Sequence, residues 1–344
     1  MKKTTISLAL LAVLSVASEA RDQIKMVGSS TVYPFASAVA EQLGATGGVP
    51  TPVVESTGTG GGMKMFCAGV GMNTPDITNA SRRMKSSELA QCRANGVTDI
   101  TEALIGYDGI VLGQNKSNAP LKLTRKEIFL AVAEKVPSAD GKSIINNPYK
   151  TWNQINPSLP NRAITIYGPP KSSGTRDSFE EMTMQHFTEE GDLKGLYHGA
   201  GLKKYSKIRT DGVWVDSGEN DNLIVQKLGK NKNAIGIFGY SFLEENGNKI
   251  SGATVDGAAP TPALIASGKY PISRSLRFYI KNNHRGEVPA LDKYVAMFMN
   301  DKMIGERGSL KRLGLIPLAK GTRAASIKSA TSHAPLKALS LMQK

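Results

Sequence analysis

Short apolar runs alternate along the chain with longer stretches whose apolar residues recur at helical spacing. The runs are IKMVG (Ile24–Gly28), TPVVES (Thr51–Ser56), IGYDGIVLG (Ile105–Gly113), AITIYG (Ala163–Gly168), AIGIFGY (Ala234–Tyr240) and LRFYIKN (Leu276–Asn282). Each is short, rich in Val, Ile, Phe or Tyr and bounded by Gly, Pro or Asn, the pattern of buried strands. Between them TVYPFASAVAEQLGA, KSSELAQCRANG, TRKEIFLAVAEKV, DNLIVQKLGK and PALDKYVAMFMND read as amphipathic helices. This alternation predicts an α/β protein with largely parallel sheets. No internal repeat is evident, and the chain is long enough for two domains with substantial cores.

The two ends read differently. MKKTTISLALLAVLSVASEA has two lysines, an apolar stretch too short to span a bilayer and small residues before Arg21, the form of a secretory signal peptide cleaved after Ala20 or after Ala17. Residues 1–20 are therefore set aside, and the remainder is expected outside the cytoplasm. Lys320 to Lys344, rich in Ala, Ser and Lys, reads as a disordered tail or a peripheral helix. Export makes Cys67 and Cys92 informative, because an oxidising compartment favours one disulfide between them, with two buried thiols as the alternative. No CxxC occurs and His186, His198, His284 and His333 are scattered, so no metal or other cofactor is expected.

The formal net charge of +14 suits an anionic ligand, a nucleic acid or a membrane surface. The basic residues form no run and only 6% of residues are aromatic, which argues against a single-strand nucleic-acid binder. Three loops narrow the choice. IKMVGSSTVYP, TPVVESTGTGGG and AITIYGPPKSSGTRDSF each run from a strand into Gly, Ser and Thr and then into a helix start, where free backbone N–H groups attract anions. One such loop is usually a turn with a helix cap, but three at strand ends can converge on one crevice. Nucleotide signatures are missing: Gly174 is followed by Thr175 and Arg176 in place of the P-loop lysine, Met63 breaks any GxGxxG, and no GxSxG surrounds a serine. A small oxyanion remains.

Four motifs in order, GSSTVYP, STGTGGGMK, DITNASRRM and SSGTRDSF, resemble those of the phosphate-binding proteins of bacterial ABC phosphate importers, which are type II periplasmic binding proteins. The resemblance runs over almost the whole chain after the leader. It implies two α/β lobes joined by two crossover strands with the ligand cleft between them, lobe 1 formed by 21–106 and 274–344 and lobe 2 by 107–273. It also implies a periplasmic monomer that is not an enzyme, with inorganic phosphate as ligand, an inner-membrane ABC permease as partner and no nucleic acid. Matched by position, the implied phosphate contacts are Thr31, Val32, Thr59, Ser81, Arg82, Ser173, Gly174 and Thr175, with Ser30, Tyr33 and Arg176 flanking them. Some members of the family carry an acceptor Asp where this chain has Arg82, and an Arg just before the SGT loop where it has Pro169 and Pro170. Arg82 is accordingly expected to supply the positive fork.

An acceptor for the phosphate proton is then sought among Asp108, Asp177, Asp216 and Asp221. The hinge is expected near Gly106-Tyr107-Asp108 and Ser273-Arg274-Ser275. Rival readings are a receptor for sulfate, molybdate or a phosphate ester, an exported phosphatase using Ser173 or Thr175, and a charge-driven adhesion role.

Overall fold

The computed structural model describes residues 21–336 except Ser172, Lys204, Glu219 and Asn220; the leader and the last eight residues lie outside it. Among the described residues there are thirteen strands: β1 (Lys25–Gly28), β2 (Val53–Ser56), β3 (Ile77–Ala80), β4 (Ile100–Asn115), β5 (Lys122–Leu123), β6 (Lys135–Pro137), β7 (Ile144–Asn146), β8 (Ile166–Gly168), β9 (Trp214–Asp216), β10 (Ile235–Gly239), β11 (Ile250–Gly252), β12 (Thr254–Val255) and β13 (Ser273–Lys281). The main sheet runs β2-β1-β3-β13-β4-β10-β8-β9, with β11 also on β4.

The alternating pattern lands where expected. β1, β2 and β3 pair in parallel, as do β8, β9 and β10. The sheets are mixed all the same, because β13 is antiparallel to both β3 and β4, and β10 and β11 are antiparallel to β4. β4 is the cause: at 16 residues it is far longer than an ordinary strand. Its first part pairs with β13 in one lobe and its second part with β10 and β11 in the other. β4 and β13 are thus the two crossover strands. In their register Asp108 faces Arg274 and Tyr107 faces Ser275, so both expected hinge segments lie side by side, next to a register shift between Leu276 and Arg277.

A separate buried core lies on each side of this crossing. Phe35, Val39, Ile77, Phe278, Tyr294 and Phe298 anchor one; Phe129, Trp152, Ile166, Phe179, Tyr197 and Tyr270 anchor the other. On the first side helices α1 (Tyr33–Thr46), α2 (Thr59–Phe66) and α3 (Ser86–Ala94) follow β1, β2 and β3. The α2 helix packs hard on β1: a Cβ on Gly62 would lie 2.5 Å from the Cα of Gly28, so only glycine fits. Cys67, at the end of α2, forms a disulfide with Cys92 in α3, and both are fully buried. No described helix is long and apolar enough to cross a membrane.

The C-terminal segment is more ordered than its composition suggests. Lys320–Thr331 forms a helix laid against β4, where the Ser326 hydroxyl accepts from the Leu104 amide at 3.0 Å and donates to the Leu104 carbonyl at 2.7 Å. Ile316 exchanges backbone hydrogen bonds with Tyr107, and the Leu336 amide donates to the Ile100 carbonyl. Ser326 thus matches a strand amide and carbonyl, and Arg323 adds hydrogen bonds to Asp301 and the Leu318 carbonyl.

Candidate functional site

Of the four motif segments, three stand on the first lobe at the C-terminal ends of β1, β2 and β3, as strand-to-helix turns do in open α/β sheets. The first has no side-chain cap on its helix; the Val32 amide reaches only the Ser29 hydroxyl, at 3.4 Å. In the second, Gly58 adopts φ 71° so that the chain can enter α2 at Thr59. Thr59 and the third loop meet: the Thr59 hydroxyl lies 3.1 Å from the Ser81 hydroxyl and accepts from the Ser81 amide at 3.1 Å. Thr31, Thr59 and Ser81 are all at least nine-tenths buried, so their hydroxyls have little water to fall back on.

The fourth loop comes from the other lobe. β8 ends at Gly168, and Ser173 caps the helix Gly174–Phe179 by accepting from the Thr175 amide at 3.2 Å. The helix continues as a π-helix over Glu180–Glu190. Gly174, Asp177, Ser178 and Glu181 are spaced to share one face, and that face meets the first lobe. Asp177 accepts from the Ser30 hydroxyl at 2.7 Å, Ser178 shares a 2.5 Å hydrogen bond with Thr31, and the Gly174 carbonyl accepts from Thr31 at 3.3 Å. Contact is so close that a Cβ on Gly174 would stand 2.4 Å from the Ser30 carbonyl oxygen. Beside this contact lies a cavity of about 560 Å3 bordered by Thr31, Asp108, Ser173, Gly174 and Thr175.

Of the expected residues, then, Thr31, Ser173, Gly174 and Thr175 are gathered at this cavity, Val32 adjoins Thr31 in the chain, and Thr59 and Ser81 form a hydrogen-bonded pair. Arg82 borders a neighbouring cavity with Ser81, its guanidinium already engaged. Its guanidinium holds both oxygens of Glu88, at 2.9 and 2.6 Å, and that pair raises the Arg82 pKa against the opposing pull of burial. The fork assigned to Arg82 is occupied, because Glu88 bends back to accept the Lys85 amide as a helix cap and so lies within reach. Arg176 points away: it is 4% exposed, packed 4.4 Å over the Trp214 ring and paired with Glu180 and Asp216. Tyr33, by contrast, is 40% exposed at the cavity rim.

The cation beside the loops is Arg274, which the sequence reading placed at the hinge and gave no ligand role. It donates to the Ser81 hydroxyl at 2.7 Å and to Glu181 of the other lobe at 3.0 Å. Its Nε and Nη2 are buried without a partner. The sequence signal was there, an arginine between two serines at the start of a strand. Directly across the β4–β13 ladder sits Asp108, whose carboxyl is pushed above its ordinary pKa by burial, with Arg274 and the Gly109 amide opposing that shift. Among the other candidate acceptors, Asp177 is engaged by Ser30, and Asp216, more than half exposed, takes the Trp214 indole. The Asp221 side chain lies outside what is described.

Chemically, the arrangement offers hydroxyls, helix-start amides, one guanidinium with free N–H groups and one carboxyl with a raised pKa, all where two lobes touch. That set can hold a small protonated oxyanion. Comparison with known proteins agrees. A model of the PBP superfamily domain matches residues 15–302. The protein SphX of Synechococcus elongatus is 31% identical over 90% of this chain and 82% of its own, and the phosphate-binding protein PstS of Staphylococcus saprophyticus is 29% identical over 81% and 76%. A solved structure of a possible phosphate binding protein from Planctomyces limnophilus aligns with TM-score 0.73 and 27% identity over 90% of this chain and 98% of that one. The chain belongs to the PBP superfamily, and its two lobes, paired crossover strands and intervening cleft are the type II form of that fold.

Proposed function

We propose that this protein is an exported receptor that binds inorganic phosphate between its lobes and delivers it to a membrane-embedded ABC permease. The observation that carries the reading is Arg274: a guanidinium 7% exposed, with two buried donors unserved, set among the hydroxyls of Ser81 and Thr59. Buried donors without acceptors are costly, and an anion removes that cost. SphX and PstS relatives, the latter named for phosphate binding, support phosphate as that anion.

In this reading Thr31, Thr59, Ser81, Ser173 and Thr175 donate hydroxyls, and the amides of Val32 and Gly174 face the anion at two helix starts. Arg274 replaces Arg82 as the cation. Asp108 accepts the phosphate's own O–H, which sulfate lacks at neutral pH, so sulfate meets a carboxylate with nothing to donate to it. The lobes fall at 21–106 with 274–336 and at 107–273, and closure brings the Gly174–Glu181 face onto the first lobe. In this reading the protein binds and releases its ligand.

Calorimetry with phosphate, sulfate and molybdate tests this. Phosphate is expected to bind one to one with a dissociation constant at or below about 1 μM, roughly 8 kcal/mol, and sulfate at least a hundredfold more weakly. Asp108→Asn should narrow that ratio. Absence of phosphate binding at micromolar concentration would overturn the function; an unchanged ratio in Asp108→Asn would overturn the role of Asp108.

A further inference from the structure

Ser81 and Arg274 line a second cavity of about 480 Å3. A phosphate ion has five heavy atoms and is already accounted for by the loops, whereas cavities of several hundred Å3 are the size proteins give to whole small molecules. The second cavity has two chemically distinct sides. One is cationic and carries Arg274 and Arg277, both more than nine-tenths buried. Arg277 gives Nη1 to Glu102 and Nη2 to Ser275, but its Nε is buried and unserved, as are Nε and Nη2 of Arg274. The other side is apolar, from Leu104, Ile265 and Ala266, surface that an inorganic anion has no use for. Exposed Arg83 and Ser267 stand at its rim.

We propose that the cleft also accepts singly substituted phosphates, that is phosphomonoesters and phosphonates, with the organic group lying along the Leu104, Ile265 and Ala266 wall. The inference rests on the phosphate reading and extends it. Replacing one P–OH by P–OR or P–C leaves three oxygens for the loops, and the singly protonated form keeps one O–H for Asp108. The substituent then leaves on the Ser81 and Arg274 side of the clamp, where the structure has space against an apolar wall. Arg82 borders that space with its guanidinium held by Glu88.

Phenylphosphonate is the suitable probe, since its P–C bond resists hydrolysis and no free phosphate contaminates the titration. Calorimetry on the purified protein is expected to show one phenylphosphonate per chain, displaced by inorganic phosphate. Ser267→Trp, an exposed position whose new ring fills the cavity, should weaken phenylphosphonate at least about tenfold and leave phosphate within about twofold. Arg83→Gln should weaken it by a smaller factor. Phosphate binding without phenylphosphonate binding, or phenylphosphonate binding that ignores Ser267→Trp, overturns the proposal while the phosphate reading stands. If neither ligand binds, it is the phosphate reading that has failed.

Discussion

Two clusters of buried charge in this molecule are built in opposite ways. At the far end of the first lobe, Asp76 is fully buried and accepts from Arg21, from the Lys25 amide at 2.7 Å and from His284 at 2.6 Å. Nearby, the Lys281 ammonium donates to the Gly69 carbonyl and the Thr74 hydroxyl, both at 2.6 Å, and lies 5.0 Å over the Phe66 ring. The polar atoms of Asp76, Lys281 and His284 are all served; only Arg21, at the start of the described chain, keeps two nitrogens unserved. In the cleft the balance is reversed: Arg274 has two buried N–H groups with no acceptor, and Asp108 has a carboxyl that burial disfavours in its charged form. A satisfied polar cluster fixes one packing, whereas an unsatisfied one is completed by something from outside. Burial and charge alone do not separate structure from function here, and each cluster leaves two arginine nitrogens without a partner; what differs is their place, Arg21 at the start of the described residues and Arg274 between the lobes.

Four changes test that contrast, taken from the largest expected effect down. Asp76→Ala strands His284 and Arg21 without their carboxylate and should lower the unfolding free energy by about 3–5 kcal/mol, read by urea denaturation, with phosphate affinity of the folded protein unchanged. A stable Asp76→Ala variant with weakened binding would erase the distinction between the clusters.

Lys281 gives a pH signature of the same cluster. Burial lowers its pKa from 10.5 to about 8, with Arg21 acting in the same direction and Asp76 against it. Between about pH 8 and 10.5 the unfolded chain holds this proton and the folded chain does not, so stability should rise with pH across that window. The total gain is on the order of 3 kcal/mol. Lys281→Met should lose the rise; an identical pH profile in both proteins would show that the ammonium is not desolvated.

At the cleft, Arg274→Gln should weaken phosphate about a hundredfold, near 2.7 kcal/mol, while the unfolding free energy holds or increases because unserved donors are removed. Loss of stability with intact binding would make Arg274 a structural residue after all. Gly174→Ala should cost about tenfold in affinity, near 1.4 kcal/mol, since its methyl group collides with the Ser30 carbonyl as the lobes meet. Small-angle scattering with saturating phosphate should show a larger radius of gyration than the parent. Full affinity in this variant would mean that binding does not need that contact.

The alternation of strand and helix and the three Gly/Ser/Thr loops were readable because each is encoded within a dozen neighbouring residues. The contacts that lay beyond reading depend on pairings far apart in the chain. Arg274 meets Asp108 only because β13 aligns with β4 in one particular register, and nothing in SRSLRF announces that register. Arg82 is paired with Glu88 for a local reason, the return of Glu88 to cap its own helix, and the order of residues from Arg82 to Glu88 carries that hint. The mixed sheet escaped notice because a crossover strand is spelled like any other apolar run. In the tail, an Ala, Ser and Lys composition concealed the single hydroxyl of Ser326.

That tail has a consequence for how the protein meets its neighbours. In the first lobe β4 is the outermost strand, and its outer amides and carbonyls would invite another chain to add a strand of its own. Ile316, Ser326 and Leu336 occupy three successive points along that margin, at Tyr107, Leu104 and Ile100. The margin is closed by residues 316–336, so a molecule truncated before Ile316 would leave an adhesive side. In the finished protein that margin no longer invites strand addition, and contact with other chains there falls to side chains.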